Sequence, residues 1–469
     1  MLRALGAATH NGDAVAALDL GPAVERLRSR LSDPKYIQKR LRALVIDNPH
    51  RVTLVVAPDP GLDEVRKARE AKRLSAIRDT LDETALANVR KLAQDLETRQ
   101  AQIDDASILP KVDIDDIPKD LAQAALEATV VAPGTYHYMG KAGTNGLVYQ
   151  QVALALPALV PEQQTLLPLM CAVASEVGIG EASYLDIQDR QSASVGSLSM
   201  SVSTRASRDN VDDASGFLIV SSKALANRIT AQSSLMLDTL TSASFSEGDR
   251  IKELISQMRA RRDQSISGAG HSLAMTAACA SMSPLAGLYH SQSGLEGIAQ
   301  LRAIDDQLRV PNDIDSLAER LTLLRDRMLS TSRINLLTVA DSNNLENAGQ
   351  TLRNTFSGAA ADSSVGSWSI TEKSRLENQI WAVNTQVNFC AKAYPTVPSG
   401  HPDAPALSVL AAYLRNGYLH RCIREQGGAY GGGASHDGNI GAFRFFSYRD
   451  PRNLETLNDF DASLDWILT

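Results

Sequence analysis

The pattern of apolar and polar positions predicts helices and one strand in the first quarter of the chain. Apolar residues recur at spacings of three and four over 22–46 and again over 62–100, which is typical of amphipathic helices. The second stretch predicts a helical hairpin with one buried stripe, and we interpret its charged positions as solvated faces. Asp82 offers a cap for the second helix of that hairpin. The β-branched run 51–56 predicts a strand, and the Asp-rich segment 101–120 predicts an extended connector.

Beyond about residue 128 the pattern alternates between strands and helices. Strands are predicted at 146–156, 194–203, 217–220 and 334–339, with the second and third of them paired. Helices are predicted at 166–177, 224–242, 246–264, 271–281, 313–329 and 343–356. Strands interleaved with pairs of helices indicate the α+β class, with an antiparallel sheet packed against helices.

A segment rich in Ser, Gly and Ala at 357–369 predicts a domain boundary. The elements predicted after it are strands at 379–384 and 387–394, a helix at 406–423 and a strand at 443–448. The helix and the last strand are separated by the Gly-rich segment 427–433, for which a flexible loop is one interpretation.

Composition and charge restrict the class of protein. The chain has 469 residues, with 47 basic and 54 acidic side chains and a net charge of −7, which argues against binding to nucleic acid or to an anionic membrane. It contains no run of 18 apolar residues, so no membrane span is predicted. The four cysteines form no C-x-x-C pair, which excludes a zinc knuckle and favours a reducing compartment. The first residues lack the apolar core of a signal peptide, so a cytoplasmic location is expected.

Histidine spacing argues against a metal site within this chain. The eight histidines are His10, His50, His137, His271, His290, His401, His420 and His436. No two of them are three or four residues apart, whereas a zincin needs two imidazoles one helical turn apart on the same helix. No metal ligand is therefore assigned.

Two further segments imitate catalytic motifs. Ser272 lies in a G-x-S-x-A sequence, but a nucleophile elbow needs a preceding strand, and here a helix is predicted instead. We therefore interpret Ser272 as a helix-start or buried polar residue. The Gly-rich segment 427–433 lacks the Lys-Ser/Thr of a phosphate loop. Arg424 and Tyr430 flank its start, and an Arg and a phenol over a cleft can bind a peptide carbonyl and stabilise an oxyanion.

Several segments resemble one known family. The sequence REQGGAYGGGA at 424–434, followed by FSYRDP at 446–451, closely resembles the C-terminal half of presequence-protease-type peptidases. These are the falcilysin-like branch of the pitrilysin, or inverzincin, metallopeptidases. The segments SISGAGHSLAM at 265–275 and NPHRVTL at 48–54 are similar to the same family. The resemblance extends over about residues 20–469.

The resemblance implies a fold and a different role for each half of the enzyme. In this family two bowl-shaped halves, each of two related α+β domains, are joined by a helical hairpin and close around an unfolded peptide. The first half carries H-x-x-E-H and binds zinc, and the second half is a copy without zinc ligands. Arg424 and Tyr430 are then expected to reach the scissile carbonyl. The glycines expected to form the substrate-binding loop are Gly427, Gly428, Gly431 and Gly432.

The resemblance also implies domain boundaries. Residues 1–57 are expected to be the tail of a preceding domain, 58–127 the hairpin linker and connector, 128–360 a third-type α+β domain, and 361–469 an incomplete fourth-type domain. The counterpart of the zinc helix is 166–177, which contains Glu176 but no histidine. We expect Glu176 to be a solvent-facing carboxylate.

The resemblance thus implies the non-catalytic half of a zinc metalloendopeptidase that degrades unstructured peptides. Zinc is expected in the intact enzyme, bound by an H-x-x-E-H half that belongs to a longer chain or a separate subunit. This chain alone is expected to hold no metal and to be inactive. The alternative is a catalytically inactive companion subunit that only binds peptides.

Overall fold

The computed structural model describes residues 2–102, 105–120, 123–133, 135–310, 313–330, 333–358, 366–370 and 378–469. The chain divides into two compact units, Met1–Asp105 and Ala106–Thr469. No described helix is long and apolar enough to cross a membrane.

The first unit is helical. Its helices are α1 (Leu2–Thr9), α2 (Gly21–Arg30), α3 (Tyr36–Leu41), which continues as a π-helical turn at Arg42–Ile46, α4 (Leu62–Asp79) and α5 (Glu83–Ala101). Helices α4 and α5 confirm the two predicted helices, and Asp82 caps α5 by accepting a hydrogen bond from the Ala85 backbone N–H at 2.7 Å; their packing into a hairpin stays a prediction. The predicted buried stripe is wrong, because Leu74 and Ile77 are about half exposed.

The strand predicted at 51–56 is also absent from the described backbone. Val52, Leu54, Val55 and Val56 are 81–92% exposed in irregular structure. A β-branched run becomes a strand only where another strand completes its hydrogen bonds. No described segment of this unit supplies such a partner.

The second unit contains a six-stranded sheet. Its strands are β1 (Leu126–Ala132), β2 (Thr135–Lys141), β3 (Leu147–Ala155), β4 (Ser197–Ala206), β5 (Ala214–Leu225) and β6 (Ile334–Ala340), in the spatial order β1-β2-β6-β3-β5-β4. Strands β4 and β5 form the predicted pair, which is antiparallel. The sheet departs from the expectation in one place, because β2 and β6 are parallel.

The turn between β2 and β3 has the geometry of a tight hairpin turn. Asn145 and Gly146 have φ angles of 52° and 79°, and the Leu147 N–H donates to the Thr144 carbonyl at 3.2 Å. Asn-Gly with both φ angles positive is the usual connection of adjacent antiparallel strands. Here the two strands are not adjacent, because β6 lies between them.

Nine helices accompany this sheet in the part of the chain that the structure describes. They are α6 (Pro161–Ala174), α7 (Tyr184–Ser194), α8 (Ile229–Ser242), α9 (Gly248–Gly268), α10 (Gly270–Cys279), α11 (Pro284–Ser293), α12 (Leu295–Gln307), α13 (Asp313–Leu329) and α14 (Leu345–Thr355). Alternate residues of β3, such as Val152 and Leu154, are buried against apolar helix residues such as Met236 and Ile255. The α+β prediction is confirmed.

A second, three-stranded sheet has the order β7-β9-β8. Its strands are β7 (Ala391–Pro395), β8 (Gly431–Asp437) and β9 (Ala442–Tyr448), accompanied by α15 (Ala404–Leu414), a π-helical segment (Arg415–Gln426) and α16 (Leu454–Leu468). Leu414, Ile423, Phe445 and Phe460 are fully buried in its core. The strand predicted at 379–384 is wrong, and most of the predicted boundary 357–369 lies outside the described residues.

Helix α10 connects the two sheets. It lies between helices of the first sheet in sequence but packs against β7 and β9 of the second. Gly270 permits this approach, because a Cβ there would lie 2.5–2.7 Å from three ring atoms of Phe389. Nearby, the Tyr448 hydroxyl donates to the Gly268 carbonyl at 3.3 Å. The second sheet therefore depends on a helix encoded before it.

Candidate functional site

The end of the π-helical segment brings Arg424 and Tyr430 together. Gly428 reverses the chain with a φ of 78°, while the Ala429 N–H donates to the Ile423 carbonyl at 3.0 Å. Because the chain turns back towards the end of the π-helical segment, the Arg424 guanidinium lies over the Tyr430 ring. Arg424 Cζ is 5.7 Å from the centroid of that ring. The two residues singled out from the sequence are thus neighbours.

The backbone of Tyr430 is held by hydrogen bonds, whereas its side chain is exposed to solvent. Its N–H donates to the carbonyls of Tyr448 and Arg449, at 3.0 and 3.3 Å, which anchors it to the end of β9. Its ring meets the Tyr448 ring edge-on at 5.7 Å. The Tyr430 side chain is nevertheless 66% exposed. A phenol in this position can donate a hydrogen bond to an extended peptide.

The four glycines have different roles, and only two of them lie in a turn. Gly428 needs its positive φ, and a Cβ at Gly427 would overlap the Arg452 guanidinium. Gly431 and Gly432 begin strand β8, where they pair with β9. The flexible-loop interpretation is therefore wrong for Gly431 and Gly432, which lie in a strand, while a role of the four glycines in substrate binding stays a prediction.

A buried network that sequence reasoning missed supports this turn. Asp450 is fully buried and accepts hydrogen bonds from the Thr456 hydroxyl at 2.8 Å and the Arg452 backbone N–H at 2.9 Å. The Arg452 guanidinium donates to the Cys422 carbonyl and to Asp459, at 3.3 and 2.8 Å. The network ties the π-helical segment to α16. The signal available in sequence is the pair of charges that flanks Pro451 directly after β9.

An aromatic cluster lies beside Tyr448. His271 meets the Tyr448 ring edge-on at 4.8 Å, and Phe389 lies 5.8 Å from it. Burial lowers the pKa of His271. Ser272, in the first turn of α10, places its hydroxyl 3.3 Å from His271 Nε2, but helix α9 and not a strand precedes it. The helix-start interpretation of Ser272 is confirmed.

The described residues of this chain do not fit a metal ion. Across the described ranges, no three His, Cys, Asp or Glu side chains converge as a metal site requires. Helix α6, which covers most of the segment expected to correspond to the family's zinc helix, carries no histidine. Glu176 follows α6 and is exposed as expected, 3.3 Å from the Arg250 guanidinium. No chemical step through a metal is therefore derived for these residues.

A separate cleft of about 410 Å³ lies among α6, α9, α11, α12 and α13. Its walls include Leu166, Leu169, Leu301 and Ile304, with Arg262 among its polar residues. Neither Arg424 nor Tyr430 contributes to it. The cleft belongs to the helices of the six-stranded sheet and is distinct from the Arg424–Tyr430 site.

Comparisons with known proteins give consistent matches. The family described as peptidase M16, subfamily C, associated matches residues 56–304, and "PreP C-terminal domain" matches residues 378–468. The chain is 25% identical to the mitochondrial presequence protease of Danio rerio, over 97% of this chain and 46% of that protein. It is 24% identical to presequence protease 1, chloroplastic/mitochondrial, of Arabidopsis thaliana, over 100% of this chain and 43% of that protein.

A solved structure shares the fold. It is a conserved protein from Enterococcus faecalis V583, with a TM-score of 0.51 and 14% identity, matched over 72% of this chain and 79% of that one. The chain spans about half the length of the curated relatives that it matches.

Proposed function

Because this chain belongs to the family associated with subfamily C of the M16 peptidases, we propose that it is the non-catalytic C-terminal half of a presequence-protease-like zinc endopeptidase. Its substrates in this proposal are unstructured peptides. Two facts support it: the match of residues 378–468 to the PreP C-terminal domain, and relatives about twice as long as this chain.

The observation that carries the proposal is the stacking of exposed Arg424 over exposed Tyr430. In the proposed role, the Tyr430 phenol donates a hydrogen bond to the carbonyl oxygen of the peptide bond under attack. The Arg424 guanidinium adds positive charge beside it. Both interactions strengthen as that oxygen gains negative charge, and groups fixed before the reaction stabilise such charge most effectively.

The proposed domain organisation follows the two sheets. The six-stranded sheet and its helices, within 128–360, form the third-type domain, and the three-stranded sheet within 361–469 forms the fourth. Residues 1–57 are the tail of a preceding domain, and 58–127 are the linker. The exposed apolar run at 51–56 supports this assignment, since surfaces of this kind are normally covered by other protein.

The partner half is proposed to carry the zinc. The family implies a zinc ion in the intact enzyme, and we place it on an H-x-x-E-H half, in the same longer chain or in a separate subunit. The relatives carry mitochondrial or chloroplast names. Nothing supports the cytoplasmic location expected from the sequence.

The test begins with the purified chain and a fluorogenic unstructured peptide. The chain alone is expected to show no EDTA-sensitive cleavage, and addition of the H-x-x-E-H half is expected to produce it. In the reconstituted enzyme, Tyr430→Phe should lower kcat about 100-fold, as loss of an oxyanion donor does, with KM little changed. Tyr413→Phe is the matched control, because Tyr413 is also exposed and stacks on Trp466.

Two results would contradict the proposal. One is EDTA-sensitive cleavage by the chain alone. The other is that Tyr430→Phe changes kcat and KM equally, or changes neither, since an oxyanion donor acts mainly in the transition state.

The alternative proposal is a companion subunit that binds peptides without assisting hydrolysis. It is favoured by the absence of a metal-holding group among the described residues, together with an exposed Arg–Tyr pair that can hold a peptide carbonyl. This alternative predicts that the chain binds peptide but that no H-x-x-E-H partner accelerates cleavage when mixed with it.

A further inference from the structure

Arg449, which is bonded through its carbonyl to the backbone of Tyr430, has an unusual backbone conformation. Its φ is 50°, and the other described non-glycine residues with positive φ are both asparagines, which tolerate this region. The surroundings hold it there: its carbonyl accepts the Tyr430 N–H at 3.3 Å, and the next residue pairs with Asn388 through backbone hydrogen bonds of 2.7 and 2.9 Å. Such strain is concentrated at functional sites.

This conformation is accompanied by a continuous row of rings and guanidiniums. Arg449 Cζ lies 5.4 Å from the Tyr448 ring centroid, the Tyr448 ring meets Tyr430 at 5.7 Å, and Arg424 Cζ lies 5.7 Å from the Tyr430 centroid. We call Arg424, Tyr430, Tyr448 and Arg449 the arginine–tyrosine row. Both arginines are exposed.

The acidic residues beside the row are bonded elsewhere. Glu425, adjacent to Arg424, lies 3.3 Å from His420 Nδ1. Asp450, adjacent to Arg449, is buried and bonded to Thr456. Within the described ranges neither arginine of the row forms an ion pair. Two other arginines in or next to the three-stranded sheet do, namely Arg444 with Asp437 and Arg452 with Asp459.

We propose that Arg449 binds a carboxylate group of the peptide whose carbonyl contacts Arg424 and Tyr430, an inference that rests on the proposed function. A guanidinium stacked on a ring face keeps its edge N–H groups free, and these match a carboxylate with two parallel hydrogen bonds. The carboxylate belongs either to the C-terminus of the peptide or to an acidic side chain. Arg449 therefore sets which peptides the site prefers.

The test measures fluorescence polarisation with the full chain and a short, labelled peptide rich in Gly and Ser. The peptide is made as a free acid and as a C-terminal amide, each with either Glu or Gln at an internal position. Arg449→Gly removes the guanidinium, and glycine accepts the positive φ without strain, so the fold is retained. Asn145→Gly is the matched control, because it also replaces a residue of positive φ, in a remote turn.

Arg449→Gly is expected to weaken binding of the carboxylate-bearing peptide about tenfold, the usual effect of losing a charge-assisted contact, and to leave the neutral counterpart unchanged. A difference confined to the acid–amide pair identifies the C-terminus, and one confined to the Glu–Gln pair identifies a side chain. Equal weakening of all four peptides, or of none, overturns the inference but not the proposed function. Failure of the unaltered chain to bind any of the four peptides also overturns the inference, whereas the proposed function is tested separately by cleavage in the reconstituted enzyme.

Discussion

The contact between α10 and the second sheet makes a sharp prediction about two glycines. Gly270 begins α10, and a Cβ there would lie 2.5–2.7 Å from three ring atoms of Phe389. Gly268 ends α9 only two residues earlier, and a Cβ there would meet nothing within 4 Å. Substitution of each glycine by alanine therefore separates steric conflict from helix propensity.

The magnitudes follow from these distances. Gly270→Ala forces Phe389 or the helix to move, and overpacking of this kind costs about 1–3 kcal/mol. If the ring moves, it also loses its contact with Tyr448, at 5.8 Å, which is worth about 0.5–1.5 kcal/mol. Gly268→Ala should instead stabilise the helix by about 0.5–1 kcal/mol. The two variants are expected to differ in free energy of unfolding by about 1.5–5.5 kcal/mol.

The assay is urea denaturation of the full chain in a Trp368→Phe, Trp381→Phe background, so that the tryptophan fluorescence comes from Trp466 alone. This tryptophan lies in α16 and packs on Tyr413 and Tyr418, so it reports on the second sheet. The expected result is a lower urea midpoint for Gly270→Ala and a midpoint for Gly268→Ala at or above that of the background chain. Equal midpoints for the two variants would refute the reasoning that α10 packs tightly on this sheet.

Three further predictions concern other parts of the second unit. Burial, aided by the Arg353 charge, lowers the pKa of His137 from 6.5 to about 4 in the folded chain. As the pH falls, His137 is therefore protonated in the unfolded chain before it is protonated in the folded chain. The contribution of neutral His137 to the free energy of unfolding is therefore fully present above pH 6.5. The free energy of unfolding should fall by about 3 kcal/mol as the pH is lowered towards 4, and His137→Gln should reduce this fall in denaturation experiments. Gly427→Ala should lower stability by about 1–3 kcal/mol by displacing Arg452, whereas Gly431→Ala, with open space around it, should not. Phe460→Ala should cost about 3–5 kcal/mol, since Phe460 is fully buried against Phe445.

Much of the fold could be predicted because local pattern and tertiary context agree. β3 has an alternating apolar face, and the structure buries that face. The same agreement holds for α13, whose buried residues Leu317, Leu321, Leu324 and Met328 are spaced three and four apart. The Arg424–Tyr430 pairing followed from residue type, spacing and the family resemblance, because a glycine turn at a helix end makes such residues neighbours.

The errors occur where a distant segment decides the outcome. The run 51–56 has strong β propensity but no described strand to pair with, whereas the glycines of β8 have low propensity but pair with β9. The sequence pattern misses β1 and β2 because apolar and polar residues do not clearly alternate in them. It misses α11 and α12 because Gly294 divides that stretch into two short helices. The sequence shows the pair of charges around Pro451 but not the partners of Arg452, which come from the π-helical segment and α16.

The Asn145–Gly146 turn has a consequence for the order in which the protein assembles. It is the strongest local hairpin signal in the first sheet, and β2 and β3 emerge from the ribosome on either side of it long before β6. In the finished sheet β6 separates them, with β2 parallel to it and β3 antiparallel. A hairpin of β2 and β3 formed early in synthesis would therefore have to open before β6 could enter. Because β6 lies far from β2 and β3 in sequence, we expect its entry between them to be a slow step in the folding of this sheet.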